Sequence, residues 1–187
     1  MNTQLRSVLL LTGFALTGTL AITLTKQATE ERIANNEAAY RSQLLREVLL
    51  DTRYDNEPWN EAISVDDESV SAIYPVTLGD ATVGEVVQIN TNSGYVGPIT
   101  MLIATDVNAR IIAVRVSKHQ ETPGLGDAID RNKSGWIDVF SGASIETPPT
   151  WSLKRDGGDF DQITGATITS RAVVNAVHDA LLYKTKD

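Results

Sequence analysis

The chain has 187 residues, 42% hydrophobic, 21% charged and 6% aromatic, which excludes wholesale disorder and suits one domain with an appendage. The absence of cysteine removes disulfides, thiolate metal sites, iron–sulfur ligation and cysteine nucleophiles together, and two histidines, His119 and His178, leave little room for a histidine-built metal centre. A formal charge of −8 offers no cationic surplus for phosphate backbones and argues against a nucleic-acid partner.

The first element is a membrane anchor over residues 1–26. From Ser7 to Thr25 the chain carries no charge, and as a helix this run is ~28 Å long, close to the ~30 Å hydrocarbon core. A cleaved secretory signal has a shorter apolar stretch, roughly 7–15 residues, ending in small residues. Thr19-Leu20-Ala21 offers such an end, but the apolar run continues past it, so an uncleaved span is expected. The flanking charges, Arg6 before and Lys26 and Arg32 after, hardly orient it. Beyond the anchor lie all 24 acidic and 14 of the 16 basic residues, and such an acidic, cysteine-free body is compatible with an outward face.

Residues 27–69 read as a juxtamembrane helix and a connector. Between Ala28 and Leu50, an apolar stripe of Ile33, Tyr40, Leu44, Leu45, Val48 and Leu49 predicts a helix. Asp51 to Asp67 is acidic and turn-like around Pro58.

The body spans residues 70–187. Its period changes to two: strands at 72–77 and 83–89 flank Leu78-Gly79-Asp80, and strands at 99–105 and 110–117 flank Asp106 to Ala109. Trp136 to Phe140 and Trp151 to Leu153 read as shorter strands. From Ser170 to Lys184, Val173, Val174, Val177, Leu181 and Leu182 share one face of an amphipathic helix. Strands with segregated helices predict an α+β domain, mainly antiparallel, behind a single transmembrane helix.

Two stretches carry the chemistry. Asp161-Gln162-Ile163-Thr164-Gly165-Ala166-Thr167-Ile168-Thr169-Ser170 sets hydroxyls and small residues before a helix. Thr169 or Ser170 reads as a helix cap and Gly165 as a turn; the same geometry also suits a phosphate at the helix N-terminus. In His119-Gln120-Glu121-Thr122-Pro123-Gly124-Leu125-Gly126-Asp127, Thr122-Pro123-Gly124 encodes a tight turn, and the glycines around Leu125 would let a flat ligand meet backbone.

Together these motifs resemble the FMN-binding domain shared by the G subunit of the Rnf/Rsx electron-transport complex and the C subunit of the sodium-translocating NADH:quinone reductase. Asp161, Thr164, Gly165, Ala166 and Thr167 match every fixed position of that family's flavinylation motif, and Glu121 to Gly126 matches its Glu-Thr-Pro-Gly-Leu-Gly hallmark. Gly94-Tyr95-Val96-Gly97-Pro98-Ile99 resembles its strand entry, and the likeness extends over residues 70–183.

The resemblance implies FMN joined to Thr167 by a phosphoester, making the chain a phosphothreonine flavoprotein, with Thr164, Gly165 and Ala166 in the turn beside it. It sets Glu121, Thr122, Gly124 and Leu125 near the cofactor, with Thr122 and Leu125 against the ring. Thr169 and Ser170 remain helix caps, His119 a satisfied structural histidine and His178 a solvated or capping group. Thr167 is a poor nucleophile by itself, and the family precedent is a separate Mg²⁺-dependent flavin transferase that uses FAD, releases AMP and recognises Asp161.

The implied role is an electron-relay subunit of a membrane oxidoreductase or translocase, incomplete by itself. It would be single-pass in the bacterial inner membrane, with its domain periplasmic and the other Rnf/Rsx subunits as partners. Its electrons would serve ion translocation or a redox-sensing transcription factor. The quinone-reductase C subunit is the nearest rival, disfavoured by the compact length. A flavin-free anchored binding module is another. A threonine- or serine-nucleophile hydrolase is the weakest, since nothing near Thr167 offers a paired base at defined spacing.

Overall fold

Alternating apolar residues in the middle of the chain build a sheet that is buried on both faces. The computed structural model describes residues 2–184; residues 185–187, the end of the predicted 70–187 domain, lie outside the described residues. Strands β1 (Ile63–Ser64), β2 (Val70–Leu78), β3 (Ala81–Thr91), β4 (Ile99–Asp106) and β5 (Ile111–Lys118) form an antiparallel meander in chain order. The register sets Val87 opposite Ile103, and Ile103 opposite Val114. Side chains alternate across a strand, so Val87, Ile89, Met101, Ile103 and Val114 join one core, and Val76, Val86, Leu102 and Ala104 the other.

Helix α2 (Thr167–Lys184) covers the first face. Its buried stripe is Val173, Val177 and Leu181 with Ala172, Ala176 and Ala180, whose small side chains permit close approach to the sheet. Leu182, predicted on that stripe, is 38% exposed, because a ~100° advance per residue carries it off the face that Leu181 occupies. The helix also begins three residues before the predicted Ser170. Leu44, Leu45, Val48 and Leu49 cover the second face.

These four end helix α1 (Thr3–Leu49), which runs through the predicted uncharged span and the juxtamembrane helix up to Leu49. Met1 of the predicted 1–26 anchor lies outside the described residues, and Leu50 falls in the turn after the helix. The helix is long and apolar enough to cross a membrane. The chain divides into two compact units between Gln43 and Leu44, so only the last turns of α1 belong to the folded domain. Ile33 and Tyr40, predicted on the same stripe, are exposed in the N-terminal unit.

The connector is more ordered than its composition suggested. It contains a 3₁₀ turn, Pro58–Glu61, and the edge strand β1. Asn56 accepts the Thr77 N–H and donates to the Pro75 carbonyl, and Asp55 accepts the Gly79 N–H. The Asn56 amide thus satisfies backbone of β2 and the Asp55 carboxylate the turn after it, which no periodicity reveals.

The two short strand candidates are not strands. Trp136–Phe140 is a 3₁₀ helix that buries Ile137 and Phe140, whose spacing of three is the repeat of that helix. In Trp151 to Leu153 only Leu153 forms an isolated bridge, to Phe160. Short apolar runs of this kind look alike whether they enter a core as strand, loop or 3₁₀ turn.

Candidate functional site

Two turns from distant parts of the chain meet beside the start of α2. In the first, Pro123 occupies the second position and Gly124, with φ +75°, the third, and Leu125 N–H closes on the Thr122 carbonyl at 3.1 Å. In the second, Thr164 and Gly165 take those positions, Gly165 has φ +81°, and Ala166 N–H closes on the Ile163 carbonyl at 3.1 Å. A positive φ at the third position is the glycine requirement of a type II turn. The turns touch: a Cβ on Gly165 would lie 3.1 Å from Leu125 Cδ1.

Glu121 fastens this junction. Its carboxylate is buried, accepting the Val96 N–H on Oε1 at 3.0 Å and the Thr169 hydroxyl on Oε2 at 2.5 Å. Gly126 lets that carboxylate pass, since a Cβ there would fall 2.9 Å from Glu121 Oε2. Both oxygens are therefore committed to protein donors, and Glu121 shapes the site from behind. Its own N–H donates to His119 Nδ1 at 3.1 Å, the structural partner expected of that histidine.

Neither predicted cap caps α2. The helix starts at Thr167, so Thr169 and Ser170 already lie inside its first turn. There Thr169 turns to Glu121, while Ser170 Oγ donates to the Ala166 carbonyl at 2.9 Å and accepts the Ile163 N–H at 3.0 Å. A distant partner claimed the Thr169 hydroxyl, while Ser170 bonds locally and ties the Gly165 turn to the helix. His178 likewise departs from expectation: it stacks on Trp151, ring centroids 5.3 Å apart and planes within 5°.

The junction lines a cleft of about 400 Å³, within the range of small-molecule sites. Its walls include Glu121, Thr122, Leu125 and Gly126 from one motif, Gly165, Ala166 and Thr167 from the other, and Tyr95 from the loop after β3. Gly124, Thr164 and Asp161 stand outside the lining. Tyr95, Leu125 and Ile168 are 67%, 44% and 49% exposed and form a largely apolar rim.

At the polar end, Arg155 Nη1 donates to Thr167 Oγ1 at 3.1 Å. Tyr95, Gly126, Ile168 and Thr169 join the wall from motifs already singled out, though not as predicted cofactor contacts, whereas Arg155 lies outside every motif the sequence offered. It sits 12 positions before Thr167 in a 3₁₀ turn, Lys154–Asp156, with no periodicity to mark it. Asp161, exposed, pairs with Lys154 Nζ at 2.7 Å, and its carbonyl accepts Trp136 Nε1–H at 2.7 Å.

An apolar rim, a close backbone and a cation beside a hydroxyl fit FMN as a group: the rim suits a flat ring system, and the Arg155–Thr167 end suits its phosphate.

Comparison with known proteins agrees with that fit. The model of the FMN-binding domain family matches residues 94–182, a range containing the whole cleft lining, and the model of the RnfG N-terminal region matches residues 1–48. The chain is 42% identical over 171 residues to the G subunit of the ion-translocating oxidoreductase complex of Stutzerimonas stutzeri, covering 89% of this chain and 75% of that protein. The G subunit of the Pseudomonas aeruginosa complex is 39% identical over 97% of this chain and 89% of its own length. That of Aliivibrio fischeri is 37% identical over 99% and 92%.

Proposed function

The chain belongs to the G-subunit family of ion-translocating oxidoreductase complexes, and we propose that it carries FMN covalently on Thr167 and relays electrons between redox subunits of such a complex. The carrying observation is the convergence of the Glu121–Gly126 and Asp161–Thr167 motifs on one cleft, with the Thr167 hydroxyl in its wall. Membership of the G-subunit family also separates it from the quinone-reductase C subunit and from a flavin-free module.

FMN supplies one- and two-electron chemistry when bound; the protein supplies position and surroundings. Thr122 and Leu125 would line the ring with Tyr95 beside them, Gly165 and Ala166 would let backbone approach it, and Arg155 would stand at the phosphate. Glu121 holds the two turns together. The rim's exposure suits a carrier whose ring must be reached by partner subunits. Exposure also weakens retention: even a nanomolar complex, about −12 kcal/mol, dissociates in time. An ester to Thr167 removes that loss and leaves the ring unaltered.

Thr167 is not set up to modify itself: its hydroxyl is bonded to the Arg155 guanidinium, a donor, and among the described residues no base is hydrogen-bonded to it. Attachment falls to a Mg²⁺-dependent flavin transferase that uses FAD and releases AMP. Asp161, exposed at the mouth of the motif, is its recognition element. Helix α1 anchors the chain in the inner membrane, with the acidic domain on the periplasmic side.

The test is the intact mass of the full-length chain coproduced with such a transferase. A gain of one FMN less one water, with a fluorescent band that survives denaturation, is expected. A mass equal to the polypeptide alone overturns the reading.

A further inference from the structure

Three consecutive charged residues precede the attachment motif, and each is tied to a different part of the site. Lys154 Nζ pairs with Asp161 at 2.7 Å, and Asp156 holds Arg171, one helical turn beyond Thr167, through bonds of 2.8 and 3.0 Å. Between them Arg155 reaches Thr167. Gly157, at φ +86°, closes the turn.

The flanking pairs have a consequence for Arg155. Lys154 and Arg171 are neutralised by carboxylates, whereas among the described residues Arg155 has none. Its charge lines the cleft with a neutral hydroxyl as its hydrogen-bond partner, while the Glu121 carboxylate of the same wall is bonded to Val96 and Thr169 instead. A guanidinium has five donors in a planar fork that matches phosphate oxygens two at a time. One donor on a threonine oxygen leaves that capacity unused.

We propose that Arg155 is the phosphate-binding residue of this site, held ready on the Thr167 hydroxyl and transferred to the phosphoester once it forms. This rests on the reading of Thr167 as the attachment point. During attachment the Thr167 Oγ1–P bond forms as the pyrophosphate P–O bond of FAD breaks. AMP leaves with that oxygen, and the hydroxyl proton passes to a base of the transferase. Position 167 thereby gains one negative charge, and its ester oxygen becomes a poorer acceptor than the hydroxyl was. Both changes draw the guanidinium towards the anionic oxygens next to it. Arg155 is a binding residue and takes no part in electron transfer.

The experiment uses the full-length chain in detergent, loaded by transferase, FAD and Mg²⁺, and reads the ³¹P resonance of the phosphodiester together with the initial rate of mass gain. In loaded R155Q the resonance is expected to move to the position that the wild-type chain shows after unfolding. Attachment is expected to slow about tenfold, the scale of a lost charge-assisted bond. Lysine keeps the charge without the fork, so R155K should fall between the two. A loaded R155Q with the wild-type resonance overturns the proposal whatever its rate. Should R155Q take up no flavin, R155K decides: a wild-type resonance overturns the proposal, and a displaced one supports it. A wild-type chain that never gains the flavin mass sinks the attachment reading instead, which separates the two failures.

Discussion

Thr169 and Glu121 stand 48 residues apart and share a buried hydrogen bond of 2.5 Å, from hydroxyl to carboxylate. This bond joins the start of α2 to the turn after β5, and the Val96 N–H on the other carboxylate oxygen adds the loop after β3. The cleft exists because these three segments close on one acid.

Removing the hydroxyl should therefore loosen the whole junction. Thr169→Val leaves Glu121 Oε2 short of a donor at a residue that is 4% exposed, a cost of about 1–3 kcal/mol. The detergent-solubilised chain should melt several degrees lower, while Thr169→Ser, which keeps the donor, should melt close to wild type. Equal melting of the valine variant would deny the bond its structural part.

The two threonines of the flavinylation motif should behave oppositely. Thr167→Ala should abolish both the mass gain and the denaturation-resistant fluorescence, since Thr167 lines the cleft and Thr164 stands outside it. Thr164→Ala should retain both. A chain that still carries flavin after Thr167→Ala places the ester elsewhere.

Asp161 separates recognition from stability. Its pair with Lys154 is exposed on both sides, and such pairs contribute about 0–1 kcal/mol. Asp161→Asn should leave melting nearly unchanged yet slow attachment by the transferase at least about tenfold, a factor that needs only ~1.4 kcal/mol. Lys154→Met breaks the same pair and should attach normally. Equal slowing in both variants would show that the ion pair, and not the carboxylate itself, is what the transferase requires.

Leu125 projects from its turn over Gly165 and is half exposed at the rim. Leu125→Asp should preserve attachment, because Thr167 is untouched, and should shift the flavin absorbance and lower its midpoint potential by setting a negative charge beside the ring. An unchanged spectrum and potential would remove Leu125 from the ring's surroundings.

Much of this was legible in residues. The uncharged run from Ser7 to Thr25 announced a helix long and apolar enough to cross a membrane, and alternation announced β2 to β5. Pro123 and Gly124 announced a turn, and Gly165 a second. These are local properties: hydropathy and backbone freedom act within a few positions, so a linear reading recovers them. Thr169 and Ser170 show the limit. Capping is the expectation for hydroxyls ahead of a helix, but competing partners that chain order does not display, Glu121 and Ile163, decided their roles.

By itself, then, the amino-acid order determined an α+β domain behind a long apolar N-terminal helix, with two glycine turns and the two motifs of an FMN-binding domain. Only the tertiary structure decided that those turns meet, that Glu121 serves as their clasp, and that Arg155 stands at Thr167. The reason lies in range. Periodicity and turn chemistry are set between neighbours, whereas a cleft is made by contacts between segments that only the packing of sheet and helix brings together.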